Sequence, residues 1–279
     1  MTSASTSYPN GCGQALGDYL ATTKPLQASG NIWYVSSLIG TDAAAPAGKN
    51  DAKPLATLKQ GITNSADGDI IVLMSGHTET STADADWLVT KRIAIIGAGS
   101  SAGLPTVKLT AGNVGAAGGP LNLNTLGSQC RNIWFTTRAV ANTGARVKIS
   151  ADFCKIYGCY WECAATDTGP GLSIGSAEVM NIENCTFVST ATLTSAQPES
   201  AIKVTSSIGT GYLRLNNCIF YGGTVGFSNP YAFDVGAQSI TQLEAEAISL
   251  LRGADMKLGV SSTGWINVVD STGGSRVDW

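Results

Sequence analysis

The sequence predicts an all-β protein, a right-handed parallel β-helix in which short strands stack as successive coils. The main observation is a six-residue motif with apolar residues at positions 1, 4 and 6, which occurs four times between Leu121 and Phe220. Successive copies start 26, 26 and 33 residues apart. A unit that recurs at such intervals buries its apolar residues only when it stacks on its neighbours. The copies are CRNIWF from Cys130, IYGCYW from Ile156, IENCTF from Ile182 and LNNCIF from Leu215.

A second short strand is predicted ahead of each copy, because two apolar residues flank one other residue there. The composition agrees with a tightly turned β protein, since the chain has 33 glycines and only 13% charged residues. Each coil therefore contributes at least two strands. The apolar pairs are Leu121/Leu123, Val147/Ile149, Leu172/Ile174 and Ile202/Val204.

The motif also contains its own corner residue. Position 3 is occupied by residues that tolerate a left-handed backbone and close turns, so we expect the asparagines to stack as a ladder. Position 4 should form a column of small or apolar side chains inside the coil, next to that ladder. Position 3 is Asn132, Gly158, Asn184 or Asn217, and position 4 is Ile133, Cys159, Cys185 or Cys218.

We divide the chain into an N-terminal arm (residues 1–30), a β-helix domain (31–236) and a C-terminal helix and tail (237–279). The arm is rich in Ser, Thr, Gly and Ala and has a short helix-like piece at 14–21. The β-helix domain should begin with a strand at 32–36, a helix at 54–64 and a strand at 69–74. Pro54 suits a first helical turn, and Leu55, Leu58 and Ile62 follow at helical spacing. This helix is expected to cover the edge of the first coil.

Residues 86–97 and 106–109 supply further strands of the early coils. Near the C-terminus, Ser239 followed by Gln242 resembles a capping box, and the apolar residues from Ile240 to Leu251 lie at helical spacing until Gly253. We therefore predict a helix there, followed by a last strand in the alternating tail. This extension should cap the solenoid or contact another subunit.

The start of the β-helix domain resembles that of the pectin-lyase-like right-handed β-helix superfamily. The matching elements are Gly40-Thr41-Asp42, Pro54-Leu55-Ala56-Thr57-Leu58, Gly68-Asp69-Ile70-Ile71-Val72-Leu73 and Gly76-His77. The superfamily includes pectate lyases, polygalacturonases, phage tailspikes and virion proteins without enzymatic activity. The resemblance thus implies the fold, whereas the N-T-D, D-D, G-H-G and R-I-K set of polygalacturonases and the aspartate cluster of pectate lyases do not occur in this sequence.

Composition argues against several function classes. The net charge is −3, and no basic patch with interleaved aromatic residues suggests nucleic-acid binding. No run of 18 apolar residues predicts a membrane span, and the first residues lack the features of a secretory signal. The chain has seven cysteines, four of them at inward repeat positions, which favours reduced thiols and synthesis in a reducing compartment such as the cytoplasm.

Two motifs suggest chemistry at first sight. Gly97, Gly99 and Ala102 fit the dinucleotide-binding pattern G-x-G-x-x-A after a strand, but Gly103 and Pro105 follow where that site needs a helix. We interpret this stretch as a turn of the solenoid. His77, the only histidine, lies in a turn with Glu79 and Thr80, and we interpret it as structural.

Three groupings of acidic or thiol side chains could also form a site. Cys154, Cys159 and Cys163 could supply three zinc ligands, but Cys159 points inward and a fourth ligand is not evident. Asp152 and Glu178 occupy equivalent positions on adjacent coils, at a spacing suited to a retaining glycosidase pair, but the other coils have Leu126 and Gly211 there and neither carboxylate is flanked by the basic and aromatic residues that bind a sugar. Asp84 and Asp86 are too few oxygens for calcium. We therefore predict no catalytic, cofactor-binding or metal-binding residues and no cofactor.

The leading functional expectation is a non-enzymatic structural protein of a virus particle, most simply a bacteriophage capsid decoration protein. It would contact the major capsid protein or other virion proteins and form homotrimers, without binding nucleic acid or membrane. The alternative is a tailspike-like receptor-binding or polysaccharide-degrading protein, and glycan binding without turnover is a third possibility.

Overall fold

The computed structural model describes residues 30–112, 119–137, 144–163, 169–175, 177, 179–190, 200–205, 208–222, 231–235, 240–251, 254–257, 264–272 and 277–278. In these ranges the chain is a parallel β-solenoid with three faces, which confirms the predicted all-β fold. One short helix, α1 (Leu58–Asn64), lies at the start. No helix in the described ranges has the length and hydropathy needed to cross a membrane.

The strands of each face stack in parallel, one coil on the next. The first face consists of β1 (Ile32–Val35), β2 (Ile70–Leu73), β5 (Ala94–Gly97), β10 (Gln129–Arg131), β13 (Cys154–Tyr157), β16 (Val179–Glu183), β19 (Ile208–Asn216) and β22 (Ile240–Leu251). The second face consists of β3 (Thr78–Thr80), β8 (Lys108–Ala111), β11 (Trp134–Thr137), β14 (Tyr160–Cys163), β17 (Thr186–Ser189) and β20 (Ile219–Tyr221), followed by the second half of β22.

The third face consists of β4 (Trp87–Val89), β9 (Leu121–Leu123), β12 (Val147–Ile149), β15 (Leu172–Ile174), β18 (Ile202–Val204), β21 (Tyr231–Asp234), β23 (Asp255–Lys257) and β25 (Val277–Asp278). Two short strands, β6 (Ser100–Ser101) and β7 (Leu104–Pro105), form an antiparallel hairpin. β24 (Gly264–Thr272) pairs with β22.

The strand register is the one predicted from the repeat. Position 1 of each copy pairs with position 1 of the next, so that Cys130, Ile156, Ile182 and Leu215 form one buried column. The third-face pairs stack in the same way, with Val147 between Leu121 and Leu172. Because parallel strands lie about 4.8 Å apart, each apolar side chain packs on its equivalents above and below.

Position 6 forms an aromatic stack through the core of the solenoid. Adjacent ring centroids are 5.0 Å apart for Phe135–Trp161, 4.5 Å for Trp161–Phe187 and 5.1 Å for Phe187–Phe220, with interplanar angles of 28°, 16° and 7°. All four side chains are buried. Large rings fill the space between the faces and contribute the greatest apolar area per residue.

The corner residues adopt the predicted left-handed conformation. φ is +52° at Asn132, +61° at Gly158, +54° at Asn184 and +50° at Asn217. The Asn217 side chain donates to Oδ1 of Asn184 at 2.6 Å, as expected for a ladder. The Asn132 amide instead donates to the carbonyls of Gly97 (2.8 Å) and Gly99 (3.0 Å), because Gly158 on the next coil offers no side-chain partner.

The predicted first helix starts too early. α1 begins at Leu58, after Thr57, whose Oγ1 accepts a hydrogen bond from the N–H of Gln60. The preceding Leu55 is extended and forms a parallel bridge with Val35. Pairing with the first strand therefore outweighs the helical spacing of residues 54–57. The helix-like piece at 14–21 lies outside the described residues.

The predicted C-terminal helix is wrong. Residues 240–251 form the long strand β22, which pairs with β19 on the first face and with β20 on the second. The segment from Ala245 to Leu250 is a further copy of the repeat, because Ala245 pairs with Leu215 and Leu250 with Phe220. Its corner residue is Ala247, at φ +54°.

Substitution of Asn217 tests the corner. Asn217→Ala places an alanine in the left-handed region and removes the bond to Asn184, so we expect a loss of about 1–2 kcal/mol in the free energy of unfolding. Asn217→Gly keeps the backbone conformation and should cost less than Asn217→Ala. Urea denaturation measures both, and equal costs for the two variants would contradict the corner assignment.

Candidate functional site

The outer surface of the second face has an aromatic and charged patch, formed by Lys108, Trp134, Tyr160 and Glu162. Trp134 and Tyr160 are paired residues of β11 and β14, and their rings meet edge to face with centroids 5.1 Å apart. Nζ of Lys108 lies 3.9 Å from the centre of the Trp134 ring. The Trp134 Nε1–H donates to Oε2 of Glu162 at 3.1 Å. We call this set the Trp134 patch.

The Trp134 patch results from the alternation of the strands. Phe135 and Trp161 point into the core, so their neighbours Trp134 and Tyr160 point outward and are half-buried. An aromatic surface with charges of both signs is suited to contact with a protein or a saccharide. Sequence reasoning missed this patch, although the apolar core positions determine by elimination which aromatic residues face outward.

A second outer cluster lies further along the first face. Arg214 lies within 3.9 Å of Glu183, 3.5 Å of Glu244 and 3.7 Å of Glu246, measured between guanidinium nitrogens and carboxylate oxygens. Glu244 also accepts a hydrogen bond from the Tyr212 hydroxyl. These partly exposed ion pairs connect β16, β19 and β22, and we interpret them as links between coils.

His77 has the structural role that the sequence suggested. Its side chain is fully buried, and Nδ1 accepts a hydrogen bond from the N–H of Ser37 at 2.9 Å. Because Nδ1 is an acceptor, the ring proton is on Nε2, which lies 3.2 Å from Oε2 of Glu79 and donates to it. Both ring nitrogens therefore hold the first coil together.

Glu79 is more than the ordinary loop residue that the sequence indicated. It lies in β3 in register with the buried Leu109, so its carboxylate occupies an interior position at the end of the stack. Oε2 accepts from the N–H of Leu58 (2.6 Å), the first residue of α1, and Oε1 accepts from Nε1 of Trp87 (2.8 Å). Glu79 thus joins the capping helix to the first coil.

Asp69 has a related role beside the same cap. Its buried carboxylate accepts from Nε1 of Trp33 (2.7 Å) and from the N–H groups of Asn31 (2.5 Å) and Ala66 (2.8 Å). Burial works against ionisation of this carboxyl group, but the hydrogen bonds outweigh it and hold the Asp69 pKa below its usual value. The sequence did not indicate these roles of Glu79 and Asp69, because it does not show which hydrogen-bond donors converge on the two carboxylates.

The glycine-rich motif is a solenoid turn, as predicted. β5 ends at Gly97, and the β6–β7 hairpin follows where a nucleotide site would need a helix. A Cβ at Gly97 would lie 2.0 Å from the carbonyl oxygen of Asn132. Glycine is therefore required there by the next coil.

The described cysteines are free thiols in the interior. Cys130, Cys154, Cys159, Cys185 and Cys218 are all buried. Burial raises the pKa of Cys130 and Cys185 well above the ordinary thiol value, and it raises that of Cys154 to about 12. Of the three cysteines that could supply zinc ligands, Cys154 and Cys159 lie in different columns of the core, since Cys154 pairs with Met180 and Cys159 follows the corner residue Gly158. The Cys163 side chain lies outside the described residues.

Asp86, one of the acidic candidates, is held by hydrogen bonds within the solenoid. Asp86 accepts hydrogen bonds from Nζ of Lys59 (2.8 Å) and from the N–H of Thr82 (2.9 Å). Burial opposes ionisation of Asp86, yet these bonds lower its pKa overall. Glu178 lies outside the described residues, so its pairing with Asp152 stays a prediction. Among the described residues, no three His, Cys, Asp or Glu side chains are grouped to bind a metal ion.

Comparisons with protein-family models, with curated proteins and with solved structures found no match to this chain.

Replacement of Glu79 tests its capping role. Glu79→Gln keeps the shape but turns one acceptor oxygen into a donor that faces an N–H group, so we expect a loss of about 1–3 kcal/mol in unfolding free energy. Thr80→Ala on the exposed side of the same strand is the matched control and should change stability by less than about 0.5 kcal/mol. Equal effects in thermal and urea denaturation would refute the role of Glu79.

The core thiols predict a response to alkali. The stabilisation from keeping them protonated is fully present below the unfolded thiol pKa of about 8.5 and is lost as the pH rises toward about 12. Unfolding free energy should therefore decline above about pH 8.5.

Alkylation followed by peptide mapping should leave Cys130, Cys154 and Cys185 unmodified in the native protein. Rapid modification of any of these three without unfolding would contradict the structure.

Proposed function

We propose that this chain is a non-enzymatic structural protein of a virus particle, of the type that decorates a bacteriophage capsid. It acts through contacts between its outer faces and other virion proteins, including copies of itself. The main observation in support is that, among the described residues, the side chains most suited to catalysis are engaged in contacts that stabilise the solenoid. His77 and Glu79 hold the first coil, Asp86 pairs with Lys59, and the free thiols are buried in the core.

Phe153 supports a role in contact formation. It is a bulky residue at φ +57°, a left-handed conformation that strains bulky side chains, and its side chain is 52% exposed. The preceding coil places Gly127, at φ +76°, at the same corner, next to the 50% exposed Leu126. A strained and exposed aromatic residue beside an exposed leucine contributes little to folding. We infer that Leu126 and Phe153 form a contact surface for a neighbouring protein.

The virion assignment itself rests on the resemblance to the pectin-lyase-like superfamily, because that superfamily includes virion proteins without catalytic sets. A rigid stack of coils suits such a role, since it presents flat outer faces whose spacing is fixed by the strand ladders.

One observation favours a second function, glycan binding in the manner of a tailspike. The Trp134 patch combines two aromatic rings with a carboxylate and an ammonium group, which are groups that bind saccharides. In this case Trp134→Ala would abolish binding on a glycan array, whereas Thr186→Ala on the same face would leave it intact.

Quantitative mass spectrometry of purified virus particles tests the leading proposal. We expect the chain in tens to hundreds of copies per particle, and its absence from particles would overturn the proposal. Release of new reducing ends from host polysaccharide by the purified protein would overturn its non-enzymatic character.

Phe153→Gly connects the test to the structure. Glycine removes the left-handed strain, so unfolding free energy should change by less than about 1 kcal/mol, while incorporation into particles should drop. Ile219→Thr replaces another exposed apolar residue, on the second face, and should leave incorporation unchanged. Normal incorporation of the Phe153→Gly protein would exclude this contact surface.

A further inference from the structure

The first three strands of the first face end at a corner of the solenoid that carries no charged side chain. The chain contributes three stretches to it, 36–41 after β1, 74–78 after β2 and 97–107 after β5, and none of them contains Asp, Glu, Lys or Arg. The stretches contact one another, since the N–H of Thr78 donates to Oγ of Ser37 at 2.9 Å and Oγ of Ser75 lies 3.0 Å from Oγ1 of Thr106. We call this region the uncharged corner.

Two adjacent apolar side chains of the uncharged corner are exposed to solvent. Leu38 is 70% exposed and Ile39 is 61% exposed, more than any other large apolar residue in the described ranges. Single exposed apolar residues are normal on a protein surface. Turns, however, are usually formed by Gly, Pro, Asn, Asp and Ser, and an exposed Leu-Ile pair does not contribute to the core.

Hydrogen bonds hold this turn in one conformation. The N–H of Ser37 donates to Nδ1 of the buried His77 at 2.9 Å. The N–H of Leu38 donates to Oγ of Ser36 at 3.3 Å, and the N–H of Gly40 donates to the carbonyl of Ser36 at 2.9 Å. A segment that is already ordered loses little conformational entropy when it binds. The two exposed side chains are therefore preorganised for a contact.

A cavity lies directly beside the exposed pair. It has a volume of about 290 Å³ and is lined by Ser36, Leu38, Ile39, Met74 and Ser75. A water molecule in the liquid takes up about 30 Å³, so the cavity has room for a four-carbon side chain such as that of leucine. The uncharged corner thus combines an apolar projection with an adjacent cavity.

We propose that two copies of this chain associate through the uncharged corner, related by a two-fold axis. A two-fold interface uses the same patch on both copies, and here one patch contains both the projection and the cavity. Leu38 and Ile39 of each copy would enter the cavity of the other. This pair takes the place of the trimer expected from the sequence.

The charge distribution favours a second copy as the occupant. Each chain has a net charge of −3, so two copies repel each other least where neither carries a charge. The centres of protein interfaces are also depleted of charged residues. The β6–β7 hairpin extends the uncharged surface, since Ser100 and Ser101 are exposed.

The inference rests on the part of the proposed function that concerns contacts between copies. It can fail separately, because a protein that is monomeric in solution can still be present in virus particles. Much of the uncharged corner is buried within the chain, so we expect a contact smaller than the standard of about 800 Å² per partner. The pair should therefore form at high protein concentration.

Sedimentation velocity of the full-length protein tests the proposal. We expect a dimer whose fraction rises with concentration, and a monomer at every concentration up to about 1 mM would overturn the proposal. Leu38→Ser removes one leucine from each half of the contact, so Kd should rise about a hundredfold. Leu88→Ser replaces another exposed leucine, on the third face, and should leave Kd unchanged. Equal effects of the two variants would refute the assignment to the uncharged corner, and circular dichroism checks that both are folded.

Photo-cross-linking locates the contact. A benzophenone-bearing phenylalanine replaces Ile39, and light and ¹⁵N-labelled chains are mixed before irradiation. We expect mixed light–heavy cross-links from position 39 to peptides containing residues 74–76 or 100–105. Cross-links that join position 39 only to its own chain, or to another face of the second copy, would overturn the proposal. A cross-linked trimer would overturn the two-fold arrangement.

Discussion

The stacking of equivalent side chains in register is the constraint on which the rest of this structure depends. A parallel ladder places each residue about 4.8 Å from its counterpart on the next coil. A side chain that fits badly at one position therefore disturbs the packing of the equivalent side chains on both adjacent coils. The stack from Phe135 to Phe220 is the clearest consequence, because every ring contacts the ring of the next coil. The buried thiols at the corner obey the same rule. Cys185 and Cys218 are small enough for the corner and donate to the carbonyls of Glu183 and Asn216 two residues earlier.

The stack of coils ends at the first coil. There, one interior position holds a carboxylate, while the outer side of the first strands is apolar. Interior positions of the first coil face α1 instead of another coil, so Glu79 replaces the apolar residue that the register would place there. Its carboxylate satisfies N–H groups that would otherwise be buried without acceptors. On the outer side, the strands of the first coils carry a second buried apolar cluster, which consists of Ile70, Val72, Met74, Ala94, Ile96 and Ala98.

Function in such a fold depends on the outer faces, since the interior is fully used for packing. The outer features differ in character along and around the solenoid. Arg214 and its glutamates pair with one another across three strands, which leaves little for a partner. Phe153 and the Trp134 patch are different, because an exposed aromatic residue in a strained conformation and a half-buried ring pair on the outer surface are not needed for the coil. This contrast is the reason that we propose these two surfaces for contact with a partner.

The sequence by itself determined the repeat, its register and its corners, because a period of 26 to 33 residues with apolar positions 1, 4 and 6 allows one stacking arrangement. It left the C-terminal copy undetected, since the alanines, glutamates and leucines of residues 240–251 also satisfy a helical pattern. These residues form a strand because they pair with β19 and β20, which the sequence pattern alone does not show. The tertiary structure likewise decided the roles of Glu79 and Asp69, because their hydrogen-bond donors come from segments distant in sequence. Local periodicity records which side of a strand is buried, whereas the partners that meet at one point depend on how the coils close.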